Sequence, residues 1–274
     1  HELLMRASTV GTPGIGQPLT SLRSIPVVLP PLTEQRAIAE MLGALDDKID
    51  CNQRIVRAAQ DYVRALFEEV LLTVDSDPSV TTIGTVAGNE RRSVDPSSLD
   101  PMTPYIGLEH MPQNDIALSR WDTAAKVTSG KMRFARGDVL FGKLRPYFHK
   151  VGIAQIDGVC SSDILVIRPV DARWATALAL SLSSTAVIEY ASAVSGGTRM
   201  PRVSWADLAR YEIRAPRLEV LDSFERQARP IVETLRVRGA ESRSLTTLRY
   251  ALLPKLMSGE LRLKHAEETV EAAV

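Results

Sequence analysis

The sequence predicts an α+β fold: one globular mixed α/β domain flanked by two long α-helices that pair as an antiparallel coiled coil. Two apolar stripes at helical spacing, over residues 33–73 and 219–256, predict the helices. Between them, strand-like runs come first and a helical pair follows, without the βαβ alternation of a parallel sheet. With 274 residues, 45% of them apolar and 24% charged, the chain is ordinary globular material, long enough to bury a core.

In the first stripe, Ile38, Leu42, Leu45, Ile49, Asn52, Val56, Ala59, Val63, Leu66 and Val70 recur at alternating steps of four and three. That is a heptad seam with one polar position. Pro30 and Pro31 block helix upstream, Thr33 is placed to cap the first turn, and Glu34 complements the helix dipole. An apolar stripe is usually plain core packing. Here length decides, because a helix of about 40 residues at ~1.5 Å each runs for about 60 Å and needs another long helix to cover it. If Asn52 is buried it costs stability but penalises wrong registers and oligomers; its bland alternative is a hydrated edge position.

The second stripe comprises Leu221, Phe224, Ala228, Ile231 and Leu235, then Leu245, Leu248, Leu252 and Leu256. Gly239 and Ala240 weaken its middle, Pro230 is expected to kink it or delay its start, and Pro254 with Ser258-Gly259 should stop it.

Between the stripes, residues 82–86, 105–108, 138–141, 151–155, 164–168 and 211–214 read as strands, and 173–183 and 185–193 as helices. Ser204 to Asp207 is a capping-box pattern opening a short turn. An internal repeat at an offset of 186 aligns Gly11-Thr12 with Gly197-Thr198, Leu22 with Leu208, Val27 with Ile213, and Pro30-Pro31-Leu32 with Pro216-Arg217-Leu218. The expected layout is therefore the tail of a preceding domain and a Pro-rich linker (1–32), a long helix (33–73), a complete domain (74–218), a second long helix with a terminal turn (219–263) and a flexible tail (264–274). The chain reads as the later part of a duplicated architecture, or as one unit and a remnant of another.

Composition also excludes. The formal net charge is zero, with 33 Lys and Arg against 33 Asp and Glu, so indiscriminate polyanion binding is not expected. No apolar run approaches the roughly 20 residues of a membrane span, and no signal peptide follows His1. Cys51 and Cys160 form no C-x-x-C pair, which fits a reducing cytoplasm rather than a disulfide scaffold or zinc ribbon. No phosphate-binding loop with its Lys-Ser/Thr occurs, and Gly11 to Gly16 reads as a plain turn. His1, His110, His149 and His265 show no ligand spacing, and no nucleophile motif is present. The expectation is no catalytic residue, no metal and no cofactor. Trp121, Trp174 and Trp205 read as core anchors.

One local charge bias stands out. Residues 79–218 hold 17 Lys and Arg against 13 Asp and Glu, and within 131–150 the cations Lys131, Arg133, Arg136, Lys143, Arg145 and Lys150 face Asp138 alone. Tyr147, Phe148 and His149 are interleaved. Such residues neutralise phosphates and fix register on a duplex, though a charge run is most often a solvated face. A second candidate is the Ser195 to Arg202 loop with Arg199 and Arg202, and a third is Arg91-Arg92. The candidate contacts are thus Lys131, Arg133, Lys143, Arg145, Tyr147, His149, Lys150, Arg199, Arg202, Arg91 and Arg92; those of the coiled coil are Ile38, Leu42, Leu45, Ile49, Asn52, Val56, Val63, Leu66, Ile231, Leu235, Leu245 and Leu252.

Four segments carry a family likeness: Ile25 to Gln35 running on through Leu45-Asp46-Asp47-Lys48-Ile49; Tyr105 to His110; Gly137 to Tyr147; and Leu252 to Leu261. Their order and spacing resemble those of type I restriction–modification specificity subunits, in which 74–218 would be a target recognition domain. The resemblance implies a non-catalytic adaptor that reads part of a bipartite site in double-stranded DNA and docks methyltransferase (M) subunits, with a restriction (R) subunit as a further partner. One complete recognition domain implies homodimer formation to supply a second. The competing reading is a dimerising coiled-coil module whose α+β domain binds another protein without sequence-specific DNA contact. A nuclease is disfavoured by the missing motifs.

Overall fold

The computed structural model describes residues 29–73, 79–197 and 199–271, together with Arg23. Gly11-Thr12, Leu22, Val27 and Thr198 of the internal repeat lie outside the described residues, as does most of the 1–32 segment expected to be a domain tail. The chain forms two compact units, 48–244 and a smaller one made of 1–47 with 245–274. Two long helices, α1 (Leu32–Thr73) and α6 (Leu218–Ser258), contribute residues to both.

Helix α1 is unbroken over 42 residues. It starts one residue before Thr33, so Thr33 is not its cap. Gln35 closes the end instead, its N–H donating to the Pro31 carbonyl at 2.9 Å and its Nε2 to that of Pro30 at 2.8 Å. The heptad seam is buried at Ile38, Leu42, Leu45, Ile49, Asn52 and Val63, and half-buried at Val56 and Leu66.

Helix α6 runs for 41 residues, through Pro230, Gly239 and Pro254, and ends at Ser258, where the Ser258-Gly259 stop was expected. Pro230 is exposed, so the Arg226 carbonyl it cannot serve meets water rather than a dry core. Gly239 is a place of close approach: a Cβ there would lie 3.0 Å from that of Ser119. Gly259, at φ 74°, ends the helix in the left-handed conformation that suits glycine.

In the larger unit Lys48 pairs with Glu241 at 3.4 Å and Phe67 stacks on Phe224 at 5.3 Å, so the two helices run antiparallel. There Leu221, Phe224, Ala228 and Leu235 are buried with Val63 and Phe67, and Ile231 packs against them. In the smaller unit Arg249 reaches Asp46 at 2.7 Å, and Leu245, Leu252 and Leu256 are buried. Of the tail expected to be flexible at 264–274, residues 264–271 lie in a helix, α7 (Leu263–Glu271), with Ala266 fully buried, and 272–274 lie outside the described residues.

The mixed domain holds two five-stranded sheets and one strand pair. The strands are β1 (Val80–Thr82), β2 (Ala87–Asn89), β3 (Ser93–Val94), β4 (Pro104–Ile106), β5 (Ala117–Leu118), β6 (Asp122–Thr123), β7 (Lys131–Phe134), β8 (Val139–Gly142), β9 (Val151–Ala154), β10 (Gly158–Cys160), β11 (Ile164–Pro169) and β12 (Glu212–Arg214). One sheet is ordered β2-β11-β8-β9-β5, the other β3-β7-β10-β4-β6, and β1 pairs with β12. The run expected as a strand at 82–86 ends at Thr82. A helical turn, α2 (Ile83–Val86), follows because Ile83 and Val86, three apart, both turn inward. Helices α3 (Ala175–Leu182), α4 (Thr185–Ala193) and α5 (Trp205–Leu208) complete the domain, with Ser184 and Ser204 as N-caps.

Strands β8, β9 and β11 are nearly continuous apolar runs because both faces of their sheet are covered. Val139, Phe141, Val151, Ile153, Leu165 and Ile167 point into the core shared with α1, α3 and α6. The alternate residues Leu140, Ala154, Ile164 and Val166 point the other way, into a second core with Ile106, Phe134 and Cys160 of the other sheet. Asp138, almost fully buried, is held by a fork from Arg168 at 2.7 and 2.8 Å.

Candidate nucleic-acid interface

The basic run 131–150 does not form one face, because the chain passes from β7 in one sheet to β8 in the other and then reverses toward β9. Lys131 opens β7 and is only 7% exposed; its Nζ donates to the carbonyl and hydroxyl of Ser129 at 2.8 and 2.7 Å and lies 5.7 Å from the Tyr105 ring centre. Lys150 is also spent internally, donating to the Leu108 carbonyl at 2.5 Å. His149 is half-buried, and its Nε2–H donates to the Ser183 carbonyl at 2.6 Å. Burial, with Arg64 nearby, outweighs that bond and pushes the imidazole below its ordinary pKa, so it is neutral at neutral pH. These three residues brace the fold and offer no free cation to a phosphate.

Two segments that lie more than fifty residues apart do converge. Arg145 N–H donates to the Pro201 carbonyl at 2.8 Å, Val203 N–H to the Lys143 carbonyl at 3.1 Å, and Arg145 Nη2 to the Arg199 carbonyl at 3.3 Å. Leu144 and Arg202 form a β-bridge. The turn 143–149 and the loop 199–202 therefore make one surface carrying Lys143, Arg145, Arg199 and Arg202, with Tyr147 at 54% and Phe148 at 37% exposure beside them. Arg202 is engaged by Asp163 at 2.9 Å, and that carboxylate raises its pKa. Arg145 Nε is shielded and has no acceptor.

Arg91, Arg92 and Arg133 gather at the edge of the other sheet, where Arg133 N–H donates to the Arg92 carbonyl at 2.8 Å. Arg92 is partly neutralised by Glu90 at 3.1 Å. This edge is separate from the 143–149 surface in the strand order.

Sequence reading missed the segment that anchors this surface to the helices. Gln60 of α1 bridges Asp115 and the Ile116 N–H, and Arg64 donates to the Asn114 carbonyl at 3.1 Å. Asn114 N–H reaches the His149 carbonyl at 3.2 Å. From α6, Arg243 donates to the Trp121 carbonyl at 2.8 Å and stacks 4.0 Å from the Trp121 ring, so Trp121 is a cation platform rather than a plain core anchor. Glu225 of α6 accepts the Thr176 N–H at 3.1 Å at the start of α3. The Asn114-Asp115 turn signal was available in the sequence; its partner Gln60, lying off the heptad seam, was not.

No cluster of metal-ligating side chains occurs among the described residues. Nor is any described helix long and apolar enough to cross a membrane.

No family model matches the chain. Over 174 residues it is 29% identical to the type I restriction enzyme EcoDI specificity subunit of Escherichia coli, an alignment covering 60% of this chain and 38% of that protein. Its fold is similar to that of the S subunit of a type I restriction–modification system from M. genitalium, at TM-score 0.55 and 14% identity, over 82% of this chain and 61% of that one. The chain thus spans less than two thirds of either relative. It is similar to type I specificity subunits in sequence, and the structural likeness establishes the fold.

Proposed function

We propose that this chain is a DNA sequence-specificity subunit: a non-catalytic scaffold of a type I restriction–modification complex, acting in the cytoplasm. The mixed domain reads one part of a bipartite duplex site, and the helix pair docks methyltransferase subunits and spaces this reader from a second one. A second copy of the chain supplies that second reader, and a restriction subunit joins the complete assembly.

The observation that carries this reading is the joining of 143–149 and 199–202 into one cationic surface tipped by aromatics. Flexible cations neutralise phosphates and release counterions, while arginine forks discriminate guanine edges. The likeness to specificity subunits supplies the rest. The test is selection of duplexes from a random pool by the full chain, with and without the cognate methyltransferase subunits, followed by titration of the enriched duplex. Enrichment of a defined motif, bound saturably and more tightly with the methyltransferase, is expected. Failure to enrich any motif in either case overturns the proposal.

A further inference from the structure

We propose that Tyr147 and Phe148 form an aromatic wedge that enters the DNA duplex between adjacent base pairs and unstacks them. The inference rests on the DNA-reading function above and adds a way of reading: deformability of one base step, sensed by a side chain that makes no base-edge hydrogen bond.

Three observations carry it. First, Tyr147 is 54% and Phe148 37% exposed, their ring centres 4.8 Å apart, so the pair leaves substantial apolar surface in water. Second, the turn bearing them is rigid and strained. Arg145 and His149, on either side of it, are both left-handed at φ 51°, two of the three described non-glycine residues with positive φ. Such a conformation persists only where the surroundings over-determine it, and strain of this kind gathers at functional sites. Here the Pro201 carbonyl fixes Arg145, while Ser183 and Asn114 fix His149. Asn114 is the third left-handed residue, so all three meet at one place. Pro146 is buried at the root of the turn, and α4 packs against it.

Third, the rim is cationic: Lys143, Arg145, Arg199 and Arg202, against Asp163, which is occupied by Arg202. That charge selects a polyanion as the occupant rather than an apolar protein groove. Proteins that kink duplexes insert apolar side chains between base steps while flanking cations hold the backbones. A flexible loop could not deliver the required thrust; a turn pinned at both ends can. Tyr147, the more exposed ring, leads, and Phe148 abuts it and keeps it upright.

The test uses the full chain and the duplex it selects, carrying 2-aminopurine at successive positions in turn. Anisotropy reports binding, and 2-aminopurine fluorescence reports unstacking. The bound wild type should raise fluorescence several-fold at one step only, and Tyr147→Ala should abolish that rise while still binding saturably. A bound wild type that brightens no position, or a rise that survives Tyr147→Ala, overturns the wedge and leaves the function standing. Absence of saturable binding by the wild type overturns both. Tyr147→Trp gives an independent reading: the complex should show quenching beyond that of wild type, and emission equal to wild type overturns the wedge.

Discussion

Gln60 Nε2 on α1 donates to Asp115 Oδ1 at 2.8 Å, and the same side chain's Oε1 accepts the Ile116 N–H at 3.0 Å. One amide thus ties a long helix to the loop that leads, through Asn114, to the turn carrying Tyr147. An amide suits this place because it donates and accepts at once.

Gln60→Leu should leave the Ile116 N–H without a partner, and Asp115 Oδ1 with the Ala117 N–H alone, in a nearly dry site. The expected cost is about 1–3 kcal/mol, read from urea denaturation. Gln60→Glu keeps an acceptor for Ile116 but sets a carboxylate against Asp115, so its deficit should shrink on acidification. A pH-independent deficit would contradict this.

Burial raises the pKa of Glu225 above its ordinary 4.5, despite the Thr176 bonds and Arg229 nearby. A raised carboxyl pKa means the folded state holds a proton that the unfolded chain has released. The stability linked to that proton is fully present below about pH 4.5 and is lost as pH rises through the folded value. Glu225→Gln keeps an acceptor for Thr176 without a charge, so its stability relative to wild type should increase from acid to neutral pH. A constant difference across that range contradicts the assignment.

Asn52 is 1% exposed in the seam, and its Nδ2 faces the Glu241 carboxylate without making a hydrogen bond. Asn52→Leu should therefore raise the thermal midpoint while relaxing register, as an apolar residue there no longer penalises slipped pairings. Cross-linking of cysteines placed at Lys48 and Glu241 should become less selective for the native pair. Full selectivity, or a lower midpoint, would contradict this.

Lys143 and Arg199 carry no side-chain partner among the described residues, so each is available to a phosphate. Lys143→Ala and Arg199→Ala should each flatten the slope of log affinity against log salt by about 0.9. Lys131→Ala and Lys150→Ala should lower folding stability and leave the slope unchanged, because both ammonium groups are spent on backbone carbonyls. Equal salt effects from all four would remove the distinction.

Burial pushes the Cys160 thiol up to about 12, whereas Cys51 is exposed on α1. At pH 8 the folded chain should alkylate rapidly at Cys51 and react at Cys160 only on unfolding. Fast labelling of both by mass spectrometry would show that the second core opens readily.

The helices were legible in the sequence because a heptad rhythm extends over more than four repeats; that Val63 and Leu235 are buried in a core shared with the sheet is tertiary and was not. The longer strands β8, β9 and β11 were legible as apolar runs, while two- and three-residue strands such as β3 and β6 are too short to show a period. Charge proved the poorest guide. Lys131 and Arg133 stand two apart yet one is buried and the other exposed, and only the tertiary placement of β7 between β3 and β10 decides which. The pairing of Arg145 with Pro201 is likewise tertiary, and a linear run cannot announce it. Pro230 misled for a related reason: the cost of a helical proline depends on whether its orphaned carbonyl faces water.

Amide hydrogen exchange of the full chain, with and without its selected duplex, tests the proposed reading surface most directly. Protection on DNA binding should concentrate at 143–149 and 199–203, with the 122–128 segment of the other sheet unchanged. Protection confined to that other segment, or none at a saturating duplex concentration, would contradict the account.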